Sequence, residues 1–256
     1  MTQRVRRPAQ LSGFLCWRTN LIHMPLMALV TILLGSTALG FSCIEKRGRV
    51  QHRIAQAWAR WMVLFSGARL TVEGAEILQR HPVAVYAANH TSYMDTPVVF
   101  ASLPFQFRIL ARKALWPIPF IGWYLNRSGQ LPIDTENTHA AMASLGAAVK
   151  ALKGGMPLFV FPEGGRTQNG DLKPFLAGAS YLALRSQVPL VPLALVGVYD
   201  LLPIHTRHLF PTQVKLIVGE PIETRGMTLR QTEELTSRLR DRIQELLDRE
   251  AQALAS

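Results

Sequence analysis

From residue 70 onward the chain alternates short apolar runs with stretches of helical character, punctuated by Gly and Pro, and few architectures accept that alternation. Runs of this length bounded by turn residues read as strands, and strands separated by helices build an α/β domain. The expected strands are residues 70–72, 83–87, 108–111, 131–133, 158–161, 190–196 and 214–218. Helices are expected over 96–102 and 138–153, the second stopped by Gly154-Gly155. A last helix follows Thr228: Thr228 and Gln231 have capping-box spacing, and Leu235, Leu239, Ile243, Leu246 and Leu247 fall on one face. No internal repeat, low-complexity tract or linker marks off a second soluble domain. The 256 residues suit one sizeable core or a domain with a smaller appendage.

The region before residue 70 has a different character. Residues 21–44 contain no charged side chain over 24 positions, enough to cross a hydrocarbon core of about 30 Å. His23 and Pro25 stand near its start, Gly35-Ser36-Thr37 interrupts it, and Arg4, Arg6, Arg7 and Arg18 before it are matched by Lys46, Arg47 and Arg49 after it. That symmetry assigns no orientation, and the segment either spans the membrane or lies in it. A cleaved leader is a third reading, opposed by the length of the segment and by the lack of a disulfide framework downstream. Residues 53–66 set Trp58, Trp61, Met62, Leu64 and Phe65 beside Arg53 and Arg60, as an interfacial amphipathic helix does, with a core-packing helix as the alternative. The expected organisation is a membrane-anchoring helical region over 1–68 and an α/β catalytic domain over 69–256.

Charge supports a membrane partner. The chain has 28 Lys+Arg against 17 Asp+Glu, a net charge of +11, while 48% of its residues are hydrophobic. Oily and basic together point to an anionic bilayer surface. Nucleic acid is not expected, because the basic residues are scattered and no aromatic-interleaved basic stripe occurs. Cys16 and Cys43 lack metal-ligand spacing and read as free thiols, and His205 and His208 have no adjacent carboxylate, so no metal is expected.

Two strands lead into residues that carry chemistry. The run 83–87 opens into Asn89-His90-Thr91-Ser92-Tyr93-Met94-Asp95, and the run 158–161 opens into Pro162-Glu163-Gly164-Gly165-Arg166-Thr167. Ligands of open α/β sheets bind beyond the carboxyl ends of the strands, so both segments can share one edge. A His and an Asp five residues apart across a strand-to-helix turn can fold back, the carboxylate accepting Nδ1–H and Nε2 remaining free as a base. Alone the pair is common in structural roles. In the second segment, Gly164 and Gly165 let the backbone approach a ligand, and Arg166 can bind a phosphate through two parallel hydrogen bonds. No Walker-type loop and no Gly-x-Ser-x-Gly elbow is present.

Taken together these residues resemble the glycerophospholipid acyltransferase family, which includes the 1-acyl-sn-glycerol-3-phosphate acyltransferases. Five blocks carry the resemblance, over about residues 60–220: Asn-His-x4-Asp at 89–95, Lys113, Leu115, Ile118-Pro119 and Gly122, Gly129 to Asp134, Phe-Pro-Glu-Gly-x-Arg at 161–166, and Val-Pro-x-Val-Pro at 188–192. The resemblance implies a mixed sheet flanked by helices and transfer of a fatty acyl group from a thioester to the hydroxyl of lysophosphatidic acid. It implies no bound cofactor, with acyl-CoA or acyl-ACP as co-substrate and acyl carrier protein as a partner in the second case. His90 would be the general base and Asp95 its orienting partner, with Lys113, Glu163, Gly164, Gly165 and Arg166 in the acceptor site. The implied location is a membrane, the bacterial inner membrane with the site facing the cytoplasm.

Three positions depart from the family's pattern. Gly165 stands where Thr is common, Thr135 where an Arg often follows Ile-Asp, and Leu176-Ala177 where a Lys is common before Gly178-Ala179. Each removes a polar or charged contact near the acceptor head group, so a lyso-lipid without phosphate, such as lyso-ornithine lipid, is the alternative acceptor. A non-catalytic membrane-docking protein and a thioesterase are the readings from other classes. The stretch Trp116-Pro117-Ile118-Pro119-Phe120 reads either as a rigid packed loop or as an acyl-chain contact.

Overall fold

The structure, a computed structural model, describes residues 17–45, 47–134, 138–206 and 208–254. Arg4, Arg6, Arg7, Cys16, Lys46 and Thr135 lie outside the described residues. An apolar helix runs Thr19–Phe41, beginning with a π-helical turn Thr19–His23 and continuing as α1 (Met24–Phe41). The change of register falls beside Pro25, which has no N–H to give to the ladder. The helix runs unbroken through Gly35-Ser36-Thr37. Two of its hydroxyls bond back to the helix's own carbonyls: Thr31 Oγ1 donates to Met27 O at 2.7 Å and Thr37 Oγ1 to Leu33 O at 2.8 Å. Leu29, Ile32 and Leu33 remain exposed, and the helix is long and apolar enough to cross a membrane.

The chain then turns back as α2 (Arg49–Ser66), and Trp58 Nε1 donates to Thr31 Oγ1 across the hairpin at 2.9 Å. The core-packing reading of residues 53–66 holds for one face of this helix. Ala55, Ala59, Met62 and Val63 are buried in the core, while Trp61 and Leu64 stay exposed. His52, on the buried face, packs against the rings of Phe100 and Phe107 and bonds Phe105 O through Nε2 at 3.0 Å.

Among the described residues seven strands and their helices follow: β1 (Arg69–Glu73), α3 (Ala75–Arg80), β2 (Val85–Ala88), α4 (Asp95–Ser102), β3 (Arg108–Arg112), α5 (Ile121–Arg127), β4 (Leu131–Ile133), α6 (Thr138–Lys153), β5 (Leu158–Val160), α7 (Gly178–Ser186), β6 (Leu190–Val196), α8 (Val198–Leu201), β7 (Gln213–Val218) and α9 (Thr232–Ala253). They form one sheet in the order β1-β7-β6-β2-β5-β3-β4, parallel throughout except where β7 meets β6. The fold is therefore the expected α/β, a mixed sheet flanked by helices, with an apolar N-terminal helix. Every expected strand is present, and each boundary differs by no more than two residues.

The central strands explain why short uniform apolar runs are the signal. Side chains alternate between the faces of a strand, and both faces here are covered. At β2, Tyr86 and Ala88 join the core beneath α2 and α4, whereas Val85 and Ala87 join the core formed with α6, α7 and α9. The capping box at Thr228 forms, its N–H donating to Gln231 Oε1 at 3.0 Å, and a 3₁₀ turn leads into α9, which buries Leu235, Leu239 and Ile243.

Because β2, β3, β4, β5 and β6 run parallel, their carboxyl ends open on a single edge. After β3 that edge carries a tight turn in which Gly122 lies so close to Trp116 that a Cβ there would stand 1.8 Å from the Trp116 carbonyl oxygen. The turn holds Ile118, Phe120, Ile121 and Trp123 exposed, with Phe120 in the left-handed region at φ 62. This stretch is closely packed at its backbone, yet it presents Ile118, Phe120, Ile121 and Trp123 outward.

Candidate active site

β2 and β5 are hydrogen-bonded neighbours in parallel register, Ala87 opposite Val160. The segments beyond their carboxyl ends are thereby brought side by side. His90 N–H donates to Glu163 Oε1 at 2.6 Å, and Thr167 N–H donates to His90 O at 2.9 Å. On the other flank Asn89 bridges to β6, its amide giving and receiving bonds with Leu195 O and N at 3.0 and 2.8 Å. The backbone of residues 89–90 is thus held from both neighbouring strands.

The turn after β2 folds back as the spacing requires. Asp95, wholly buried at the start of α4, receives Thr91 N–H at 2.6 Å and Ser92 N–H at 2.8 Å on Oδ2, and His90 Nδ1 lies 2.7 Å from the same oxygen. A carboxylate can only accept, so Nδ1 carries the hydrogen, and in the neutral imidazole the lone pair is on Nε2. The imidazole is stacked on Phe161, ring centres 3.9 Å apart and planes 14° apart. Orientation by a carboxylate and an aromatic face leaves Nε2 as the group available to take a proton.

Glu163 occupies the seam between the two segments. Its Oε1 receives His90 N–H and its Oε2 receives Lys173 N–H at 3.1 Å, so both carboxylate oxygens expected at the acceptor are engaged by backbone. Burial pushes its carboxyl up to about 7, against the lowering effect of those two N–H groups and of the Lys173 charge. Gly164 turns the chain at φ 67, a conformation that an L side chain rarely adopts. Gly165 has open space above it, with Lys173 Nζ 4.0 Å from where a Cβ would stand. The Arg166 guanidinium lies over the Tyr93 ring, 3.7 Å from its centre, which fixes the cation beside the histidine loop.

Lys113 stands apart from this cluster. It begins the turn after β3, is mostly exposed, and pairs with Asp134 at the end of β4 at 3.2 Å. It shares the edge with His90, two strands away across β5. Of the expected residues, the structure therefore gathers His90, Asp95, Glu163, Gly164, Gly165 and Arg166 into one place and joins Lys113 to a second pair on the same edge. Among the described residues no group of three His, Cys, Asp or Glu side chains is arranged to hold a metal ion.

Sequence reasoning missed Tyr93, Phe161 and Lys173. Tyr93 and Phe161 lie inside the quoted blocks, where an aromatic beside a base or a guanidinium is a usable signal. Lys173 lies outside them and reaches the site only because the chain folds back.

Comparison with known proteins bears on the family and the fold. The Acyltransferase family model matches residues 69–196, half of the chain. A chloroplastic 1-acyl-sn-glycerol-3-phosphate acyltransferase of Brassica napus is 29% identical over 199 residues, covering 76% of this chain and 57% of that protein. The corresponding chloroplastic protein of Arabidopsis thaliana is 30% identical over 178 residues, 69% of this chain and 49% of that one. The chain thus spans about half the length of these relatives. In fold it is similar to the 1-acyl-sn-glycerophosphate (LPA) acyltransferase PlsC of Thermotoga maritima, with a TM-score of 0.75 at 22% identity, covering 94% of this chain and 98% of that chain.

Proposed function

The chain belongs to the Acyltransferase family, and on that premise we propose that it transfers a fatty acyl group from a thioester to the free hydroxyl of lysophosphatidic acid, giving phosphatidic acid. The observation that carries this reading is the histidine itself: Nδ1 is bound to a buried carboxylate 2.7 Å away, and Nε2 is left for a substrate on a loop that the His90 N–H bond to Glu163 holds to the segment of the glycine turn.

In this mechanism Nε2 of His90 takes the hydroxyl proton as the acceptor oxygen attacks the thioester carbonyl. The Asp95 carboxylate stabilises the imidazolium that forms. Collapse of the tetrahedral intermediate breaks the C–S bond, and the imidazolium returns its proton to the departing thiolate. A thioester is already activated, so a positioned base worth about 10² to 10⁴ in rate, together with orientation, meets the chemical need without a covalent acyl-enzyme. Arg166 binds the acceptor phosphate, and Lys113 joins it by exchanging its pair with Asp134 for the phosphate. Glu163 positions the base by holding its main chain.

The donor is acyl-CoA or acyl carrier protein, both anionic and suited to a basic surface. The exposed apolar faces of α1 and of the turn at 118–123 support a site at the bilayer, where the acceptor resides. We take the bacterial inner membrane, with the site facing the cytoplasm, as its location.

The test is incubation of the detergent-solubilised full chain with labelled acyl thioesters and lysophosphatidate, tracking thiol and lipid products together. Phosphatidate equal to the thiol released, lost in His90→Ala, is the expected result. Thiol without a new lipid would make the protein a thioesterase, and full transfer by His90→Ala would remove the proposed base.

A further inference from the structure

The glycine turn after β5 is covered by a segment that returns over it. Leu176 N–H donates to Pro162 O at 2.8 Å, and Lys173 N–H donates to Glu163 Oε2 at 3.1 Å. These two bonds lay residues 173 and 176 across the turn. Leu176 Cδ1 lies 2.8 Å from where a Cβ on Gly164 would stand, and Lys173 Nζ lies 4.0 Å from the equivalent point on Gly165. The two side chains therefore sit over consecutive glycines.

Leu176 is one of the positions at which a lysine is missing from the family's pattern. The charge absent there is present three residues earlier in the chain, over the next glycine of the same turn. Lys173 Nζ donates to the Gly165 carbonyl at 3.3 Å, and an ammonium has three hydrogens to give. The adjacent residue, Arg166, holds its guanidinium over Tyr93. One cation thus rests against the glycine turn, and a second is carried by the residue next to it, over the aromatic ring of the histidine loop. A dianionic phosphate monoester needs such an arrangement, because one surface cation in water gives little binding and several around one group give much more.

The geometry points to Lys173 as a binding residue for the phosphate of the acceptor head group, one glycine along the turn from the place that position 176 covers. This rests on the reading of the chain as an acyltransferase acting on a phosphate-bearing lyso-lipid. It also decides between the two acceptor classes left open by the sequence: the missing charge is displaced, and the site selects a phosphate.

The experiment compares the full chain with Lys173→Met, Lys173→Arg and the double variant Lys173→Met/Leu176→Lys. Two readouts are taken: kcat/KM with lysophosphatidate and with monoacylglycerol, and binding of lysophosphatidate in micelles by calorimetry. Loss of one charge-assisted contact lowers affinity about tenfold or more. The ratio of kcat/KM for lysophosphatidate to that for monoacylglycerol is expected to fall by about this factor in Lys173→Met, mainly through KM. It should recover in Lys173→Arg and in the double variant, with calorimetry showing the same order. An unchanged ratio, or an equal loss on both acceptors, overturns the role. If the parent chain binds lysophosphatidate but does not acylate it, the acyl-transfer reading falls, and calorimetry alone still decides for or against Lys173.

Discussion

Glu163 Oε1 accepts the backbone N–H of His90 at 2.6 Å, although the two residues are 73 positions apart in the chain. This bond, together with the Lys173 N–H on the other carboxylate oxygen, makes one buried side chain the junction of three segments: the end of β2, the end of β5 and the returning loop. The base, the buried acid and the glycine turn that meet at this junction can each be tested separately.

Asp95→Asn should lower kcat about 10²-fold or more while changing KM little. An amide can offer Nδ1 a donor where it needs an acceptor, so the imidazole loses both its tautomer and the partner of its positive form. Steady-state kinetics on a variant whose circular dichroism matches the parent checks this, and a KM effect without a kcat effect would assign Asp95 to binding instead.

Two buried titratable groups should impose opposite pH slopes on stability. Burial pulls His52 down to about 4, so between about 4 and its ordinary 6.5 the unfolded chain binds more protons and stability rises with pH. Burial pushes Glu163 from 4.5 up to about 7, so over that interval the folded chain binds more protons and stability falls with pH. The two slopes oppose each other across the shared window. Relative to the parent, the melting midpoint of Glu163→Gln should rise with pH between 4.5 and 7, and that of His52→Gln should decline as pH rises between 4 and 6.5. Thermal melts of the three proteins across about pH 4 to 8 measure both trends, and parallel curves would refute the assignment.

Gly164 and Gly165 should respond differently to added side chains. Gly164→Ala forces a left-handed φ of 67 on an L residue and meets Leu176 Cδ1 at 2.8 Å, a cost of about 1 to 2 kcal/mol. Gly165→Thr has room, with its nearest neighbour 4.0 Å away, and should remain within about 0.5 kcal/mol of the parent. Denaturant midpoints separate the two cases. Equal effects would mean that the turn tolerates no side chain at either place.

The strands are legible in the sequence because each central one is buried on both faces and so appears as an uninterrupted apolar run of strand length. The helices are less so. Ala75–Arg80, Ile121–Arg127 and Gly178–Ser186 are six to nine residues long, too short to set up a clear helical period. Strand order and the reversal of β7 against β6 leave no local mark, because they depend on which runs meet after the chain has crossed the sheet.

The site divides in the same way. His90 and Asp95 are five residues apart, and a single turn brings them together, so their spacing is informative. Glu163 and Arg166 need the adjacency of β2 and β5, which the carboxyl-edge rule for parallel strands anticipates. Lys173 needs a loop to double back by two main-chain bonds, and no spacing encodes that. Lys113 is marked by its block, but its pairing with Asp134 depends on β3 and β4 lying side by side.

The amide hydrogens of His90, Thr91 and Ser92 all point into carboxylates, the first to Glu163 and the others to Asp95. Solvent exchange of an amide requires that its bond open, and here opening would expose two buried acids as well as the main chain. Residues 89–94 form no regular element, yet the deuterium uptake of His90, Thr91 and Ser92 should proceed as slowly as that of the central strands. Exchange that slow would make the loop that carries the histidine, in its dynamics, a continuation of the sheet, with an incoming hydroxyl finding its place against a base already fixed.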